Sequence, residues 1–243
     1  MPVSPSDSPC VLEAHELSYS YRRRSALTEV SFKLNRGVVF LVGANGAGKT
    51  TLLKLLAGEL RPPASARVAP KVGIAYLPQS PQLCKTMRCL EFVAYCGWLQ
   101  GLSSREALSA APDALRQVGL SERANTSTRE LSGGMQRRLA IAGVLVSRRE
   151  ILLLDEPMSG LDPQQRSEVR KLLADLGENN LVVVSSHVMQ DIAQVSNEIL
   201  MLNKGRLIFH GSLSEFLEDP SLSTPTLERL ENKFIERLGT SGC

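Results

Sequence analysis

Three kinds of hydrophobic pattern run along this chain, and each marks a different element. Between Val11 and Leu34 apolar and polar residues alternate, as in Val30-Ser31-Phe32-Lys33-Leu34. That period predicts antiparallel strands with one buried face. Gly37-Val38-Val39-Phe40-Leu41-Val42 is apolar throughout and predicts a strand covered on both sides. Thr51-Leu52-Leu53-Lys54-Leu55-Leu56-Ala57-Gly58 predicts a helix stopped by glycine. Arg61 to Ser65 reads as a loop, and Val72 to Gln79 as a second apolar strand closed by Pro78. Over residues 86–126 the spacing is helical (Leu90, Val93, Ala94; Leu108, Ala111, Leu115), with breaks expected near Gly101 and Pro112. After residue 131 helix and strand alternate. Ile151-Leu152-Leu153-Leu154 and Leu181-Val182-Val183-Val184-Ser185 are continuous apolar strands of a parallel sheet. The helix following Leu131 should bury Leu139, Ala142, Gly143 and Val146 and leave Arg137 and Arg138 in solvent. Asn197 to Phe209 predicts two short strands around an Asn203-Lys204-Gly205 turn. The fold class is therefore α/β: a mainly parallel core, a small antiparallel β part, and a helical insertion at about residues 80–130.

Composition adds bounds. The 243 residues suit one large domain, and 43% hydrophobic with 22% charged residues is an ordinary globular balance. A net charge of +3 is too small to argue for nucleic acid as a ligand, and none is expected. Cys10, Cys84, Cys89, Cys96 and Cys243 are odd in number and include no C-x-x-C, so reduced thiols are expected, with no disulfide framework and no zinc site. No run reaches the ~18 apolar residues of a membrane span. Residues 1–10 lack the basic start and apolar core of a secretion signal and are expected to be a flexible tail. Residues 11–215 form the expected main domain, and 216–243 a helical tail.

The chemistry is concentrated between strands and helices. Gly43-Ala44-Asn45-Gly46-Ala47-Gly48-Lys49-Thr50-Thr51 fits G-x-x-x-x-G-K-[ST], with a strand before it and a helix after it. Glycines let successive N–H groups turn inward onto phosphate oxygens, and the helix N-terminus adds positive potential. Lys49 is placed to reach the β- and γ-phosphates of a nucleotide, and Thr50 to bind Mg²⁺. These features make the core a P-loop NTPase type. Asp155 and Glu156 follow the buried Ile151–Leu154 strand, at the end where open α/β sheets bind ligands. Asp155 would hold Mg²⁺ through water, and Glu156 would polarise an attacking water. Leu131-Ser132-Gly133-Gly134-Met135-Gln136 is a second glycine-rich turn opening a helix, which reads as a second anion site or, taken alone, as a plain N-cap at Ser132.

As a set, these motifs resemble the ATP-binding-cassette (ABC) ATPases. Gly43–Thr51 is similar to the Walker A loop, Ile151–Glu156 to the Walker B strand, and Leu131–Gln136 to the family signature. Gln79 resembles the Q-loop glutamine, Ser159-Gly160-Leu161-Asp162 the D-loop, and His187 the switch histidine. Tyr21 resembles the aromatic that stacks on adenine, although Tyr19 nearby has the same chemistry. The resemblance implies ATP and Mg²⁺ as ligands, with Thr50, Gln79 and Asp155 around the metal. It implies a head-to-tail dimer, with ATP on Lys49 of one chain closed by Ser132, Gly133 and Gly134 of the other. In that arrangement Glu156 and His187 act on the water, and Asp162 communicates across the interface. One departure stands out: only thirty residues separate Lys49 from Gln79, fewer than is usual, and the shortening should fall in the antiparallel part.

Two roles fit the resemblance. The first is the ATPase subunit of a transporter, a homodimer held at the cytoplasmic face of the membrane by a separate integral-membrane subunit. The second is a soluble cassette ATPase, for example in iron–sulfur assembly. One cassette argues against translation factors, and the lack of a long heptad insertion against chromosome and repair types. An iron–sulfur assembly ATPase is also a single cassette, and the compact layout favours the first role. The Leu-Glu…Phe tail beyond Gly211 resembles exporter subunits. In transporters the helical segment receives the membrane subunit, and Phe92, Tyr95 and Trp98 could form part of that socket. Packing in the helical core is the other reading for each of the three.

Overall fold

The computed structural model describes residues 11–63, 65–69, 73–219 and 226–240, so the expected tail at 1–10, together with Cys10 and Cys243, lies outside it. β1 (Leu12–Tyr21) and β2 (Arg24–Leu34) pair antiparallel, and β4 (Arg67–Ala69) adds to β1, giving a three-stranded sheet in the order β2-β1-β4. The third strand spans three described residues.

The second sheet holds six strands. β3 (Gly37–Val42) lies at its middle, with β7 (Leu181–Ser185), β6 (Ile151–Asp155) and β5 (Ile74–Leu77) to one side. On the other side come β8 (Glu198–Asn203) and β9 (Arg206–Ser212). All neighbours are parallel except β8 and β9, which form the hairpin expected at Asn203–Gly205.

The continuous apolar strands are explained by what covers each face. Val38, Phe40, Val42, Leu152, Leu154, Val182 and Val184 join one core cluster, shared with the helices α4 (Gly133–Leu145), α5 (Pro163–Gly177) and α6 (Met189–Val195). Their neighbours Val39, Leu41, Ile151, Leu153, Leu181 and Val183 join a second, with α1 (Lys49–Leu56) and the antiparallel sheet. Successive side chains of a strand point to opposite faces, so only a doubly covered sheet leaves every position apolar. Each fully buried Val or Leu stabilises the fold by about 1.5–3 kcal/mol, so the central strands hold the strand ends above them rigidly.

Residues 80–130 carry α2 (Cys89–Leu99), α3 (Ser104–Gln117) and two 3-10 turns. The break near Gly101 is present, with φ +97° there and a Ser103–Glu106 capping box starting α3. The break expected at Pro112 is not: this residue sits inside α3. Pro112 is exposed, and the carbonyl deprived of a partner belongs to Leu108, itself 54% exposed, where water can meet it. After β9 come α7 (Leu213–Leu217) and the amphipathic α8 (Leu227–Thr240), which packs on the core through Leu230, Phe234 and Leu238. Among the described residues no helix is long and apolar enough to cross a membrane, and Cys84, Cys89 and Cys96 are free thiols.

Candidate functional site

Four parallel strands end on the same edge of the sheet, and their order sets the order of the chemistry. β5 leads to Gln79, β6 to Asp155 and Glu156, β7 to Ser185 and His187, and β3 to the glycine-rich loop. A cleft of about 1000 Å³ opens there. It is lined by the loop from Ala44 to Thr51, by Tyr21, Gln79, Asp155 and Glu156, and by the Asn203–Gly205 hairpin turn.

The loop is a formed cradle. Gly48 has φ +108°, and a Cβ there would lie 2.7 Å from the Ala26 carbonyl oxygen, so backbone angle and space both demand glycine. Gly43 is similarly pressed against the Leu202 carbonyl. Gly48 is also the N-cap of α1 and offers no side-chain cap, so the first amides of α1, at Lys49, Thr50 and Thr51, have no intrahelical acceptor and face the cleft. Such an end is an anion site. Lys49 Nζ donates to the carbonyls of Gly43 at 2.7 Å and Ala44 at 3.2 Å, which folds the amine back over the loop. Burial pushes the Lys49 pKa down, against the upward pull of Glu156 and Asp155. Tyr21 is 47% exposed at the cleft, whereas Tyr19 packs against the core, which separates the two neighbours.

The acids sit opposite. Asp155 is 1% exposed, and its Oδ1 accepts from the Ser185 hydroxyl at 2.6 Å. Burial and then the Asp155 carboxylate push up the pKa of the neighbouring Tyr76 hydroxyl, so that hydroxyl faces Asp155 as a neutral donor. The carboxylate is also the kind of oxygen donor a hydrated cation in the cleft would use. The donor set at this cleft thus fits Mg²⁺ held through water by Asp155, with Thr50 and Gln79 also lining the space. Glu156 has a left-handed backbone, φ +50°. Its N–H donates to Ser185 Oγ at 2.8 Å, and its carboxylate meets His187 Nδ1 at 3.0 and 2.9 Å. Ser185 was not singled out in the sequence. Its signal is the register, which places it directly beside Asp155.

Arg137 corrects a second expectation. It is buried, not solvated: its guanidinium donates to the carbonyls of Pro157 at 3.0 Å, Gln79 at 2.8 Å, Asp155 at 2.9 Å and also Glu156. Hydrogen bonds from a charged group contribute about 1.5–3 kcal/mol each. Four of them outweigh a desolvation penalty of several kcal/mol, so the charge goes inside. Arg138 is half-buried as well, bonded to the Val118 carbonyl and paired with Glu168. Leu139, Ala142, Gly143 and Val146 are buried as expected.

The second glycine-rich turn is elsewhere. Ser132, Gly133 and Gly134 do not line the main cleft. Ser132 and Gly133 are exposed, and Ser132 Oγ caps α4 by accepting from Met135 N at 3.3 Å. Gly133 borders a separate depression of about 540 Å³ together with Ser159, Gly160 and Leu161. Asp162 caps α5, accepting from Gln165 N at 2.9 Å. On α2, Phe92 belongs to the core while Tyr95 and Trp98 are 41% and 53% exposed, their rings stacked 6.0 Å apart.

Parallel sheet, glycine-rich cradle and strand-end acids together define an α/β fold of the P-loop NTPase type. The sequence profile of the family described as ABC transporter matches residues 27–159. The Bacillus subtilis (strain 168) protein named "Uncharacterized ABC transporter ATP-binding protein YxlF" is 36% identical over 237 residues, covering 93% of this chain and 80% of that one. "Energy-coupling factor transporter ATP-binding protein EcfA" of Methanothermobacter thermautotrophicus is 35% identical over 232 residues, covering 87% of this chain and 74% of that one. The solved structure of cbiO1 from Clostridium perfringens, described as part of the ABC transporter complex cbiONQ, superposes with a TM-score of 0.77 at 27% identity, covering 96% of this chain and 97% of that one. The chain belongs to the ABC transporter family, as one of its ATP-binding subunits. ATP hydrolysis, generally with Mg²⁺, is the chemistry of that family.

Proposed function

We propose that this chain binds and hydrolyses ATP in a head-to-tail homodimer and couples the cycle to export through a separate integral-membrane subunit, at the cytoplasmic face. The observation that carries the reading is the separation of two anion-binding helix ends. One chain holds Lys49 in the main cleft, while the signature turn lies away from it with Gly133, next to Ser132, at a different depression, so two copies facing each other would complete two sites. In each, the amides of α1 and Lys49 bind the phosphates, Tyr21 stacks on adenine, and Ser132, Gly133 and Gly134 of the second copy close over the γ-phosphate. Mg²⁺, when bound, neutralises charge on the phosphates. Glu156 accepts hydrogen-bonding from the attacking water, His187 holds the Glu156 carboxylate in place, and Gln79 completes the water shell. Lys49 offsets charge developing on the transferred phosphoryl group. Asp162, at the start of α5 beside the second depression, links the two sites.

The exposed Tyr95–Trp98 pair on α2 supports docking of a membrane partner on the helical segment. Export rests on the tail, in which a single amphipathic helix, α8, folds back on the core. The kinship with an energy-coupling factor protein makes import the second reading. A tagged Glu156→Gln chain, captured with ATP from detergent-solubilised cells, tests the assignment. A polytopic membrane protein at stoichiometric yield supports transport, and its fold separates export from import. Only soluble partners would support the soluble-ATPase alternative instead.

Ser132→Arg tests the sandwich itself. A bulky cation at the signature turn should abolish turnover while ATP still binds the isolated chain with unchanged affinity, measured with a fluorescent nucleotide. Loss of that binding would place Ser132 in its own chain's site.

A further inference from the structure

Arg137 belongs to no motif the proposed chemistry uses, yet it is the most highly connected buried charge beside the cleft. It lies in the first turns of α4, the helix that Ser132 opens. Its planar fork reaches two separate segments at once: the Gln79 carbonyl after β5, and the consecutive Asp155, Glu156 and Pro157 carbonyls at and just beyond the end of β6. These four hydrogen bonds all go to backbone oxygens, and the nearby Asp155 and Glu156 carboxylates add a favourable field that opposes the cost of burying the charge.

The target of that fork is a strained residue. Glu156 has φ +50°, a conformation unfavourable for a residue with a Cβ. Such a backbone persists only where its surroundings fix it from more than one side. Here Ser185 Oγ holds the Glu156 N–H, and Arg137 holds the Glu156 carbonyl. The peptide groups on both sides of the Cα are pinned, and the side chain is aimed at His187 and the cleft. The same guanidinium pins the backbone of Gln79, the other polar side chain expected around the water.

We infer that Arg137 is a positioning residue for hydrolysis. It fixes the Glu156 backbone in its left-handed form and locks Gln79 and Glu156 to the signature helix as one unit. The inference rests on the proposed catalytic role of Glu156. One consequence is directional. Movement of α4, when its Ser132 end engages nucleotide on a second copy, passes through Arg137 to the same chain's own Glu156 and Gln79. The nucleotide cradle is untouched, because the Arg137 guanidinium bonds to Gln79 and to residues 155–157 and not to the loop from Gly43 to Thr51.

The test uses the full chain with Arg137→Lys and Arg137→Ala. Lysine keeps the charge but has three donors and lacks the planar fork, so it cannot serve all four carbonyls together. For both variants kcat should fall about 10²-fold, the scale of a misplacement near 1 Å. MgATP affinity should stay within about twofold of wild type. Millimolar guanidinium should restore part of the turnover of Arg137→Ala and leave wild type unchanged, which a general loss of packing would not produce. Wild-type kcat in Arg137→Lys overturns the inference. So does loss of ATP binding in parallel with turnover in that folded variant, because the fork would then be holding the cradle. If Arg137→Ala does not fold, Arg137→Lys still decides. Glu156→Gln, assayed alongside, separates the two ideas: normal turnover there refutes the base assignment, whatever Arg137 does.

Discussion

Glu156→Gln should bind ATP with undiminished affinity, hydrolyse it about 10²–10⁴-fold more slowly, and collect as an ATP-bound dimer on a sizing column. Glutamine has the same shape and can still hydrogen-bond His187, whose Nδ1 lies 3.0 and 2.9 Å from the two carboxylate oxygens. The backbone should also hold, since Ser185 and Arg137 grip the flanking peptide groups and not the side chain. What disappears is the oxygen that takes a proton from water, and with it a negative charge facing the γ-phosphate. Chemistry stops while closure becomes easier. Phosphate release in single turnover and the elution volume with ATP are the two readouts. Near-normal turnover, or a monomer under saturating ATP, would refute the assignment of the base or of the dimer respectively.

Lys49→Ala should lose both binding and turnover. The amine donates to the Gly43 and Ala44 carbonyls. Nucleotide phosphates are better partners for a cation, so binding exchanges partners within a cradle that already exists. Two hydrogen bonds from a charged group are together worth roughly 3–6 kcal/mol, about 10²–10⁴-fold in Kd. Turnover should fall further than affinity, because Lys49 also meets charge that grows in the transition state. Fluorescent-nucleotide titration and steady-state phosphate release check this, with circular dichroism to confirm the fold. Wild-type hydrolysis would refute the cradle assignment.

Much of this was legible because apolar pattern and strand coverage are locally encoded. Gly37–Val42 and Leu181–Val184 read as doubly buried strands and are such strands. Gln79, Asp155, Glu156, His187 and the Gly43–Thr51 loop follow strand ends, where topology brings them to one edge of the sheet, whereas Ser132 and Asp162 start helices elsewhere. Two readings failed for the same physical reason: tertiary surroundings override local propensity. Pro112 stays in a helix because its unmet carbonyl faces water. Arg137 goes inside because four carbonyls from distant segments converge on it. Nothing within a window of a few residues announces either. Ser185 was hidden differently: its partner Asp155 lies thirty residues earlier and becomes its neighbour only through sheet register.

The remoteness of Ser132 from the main cleft has a consequence for genetics. A Lys49→Ala chain keeps an intact signature turn, and a Ser132→Arg chain keeps an intact cradle. In the proposed head-to-tail dimer, each should be inert with its own kind. Mixed, they can pair so that the surviving cradle of one meets the surviving turn of the other. Random pairing makes half the dimers hybrids, each with one whole site of two, so the blend of two dead proteins should recover about a quarter of wild-type turnover. Two lesions in one continuous pocket would never complement in this way.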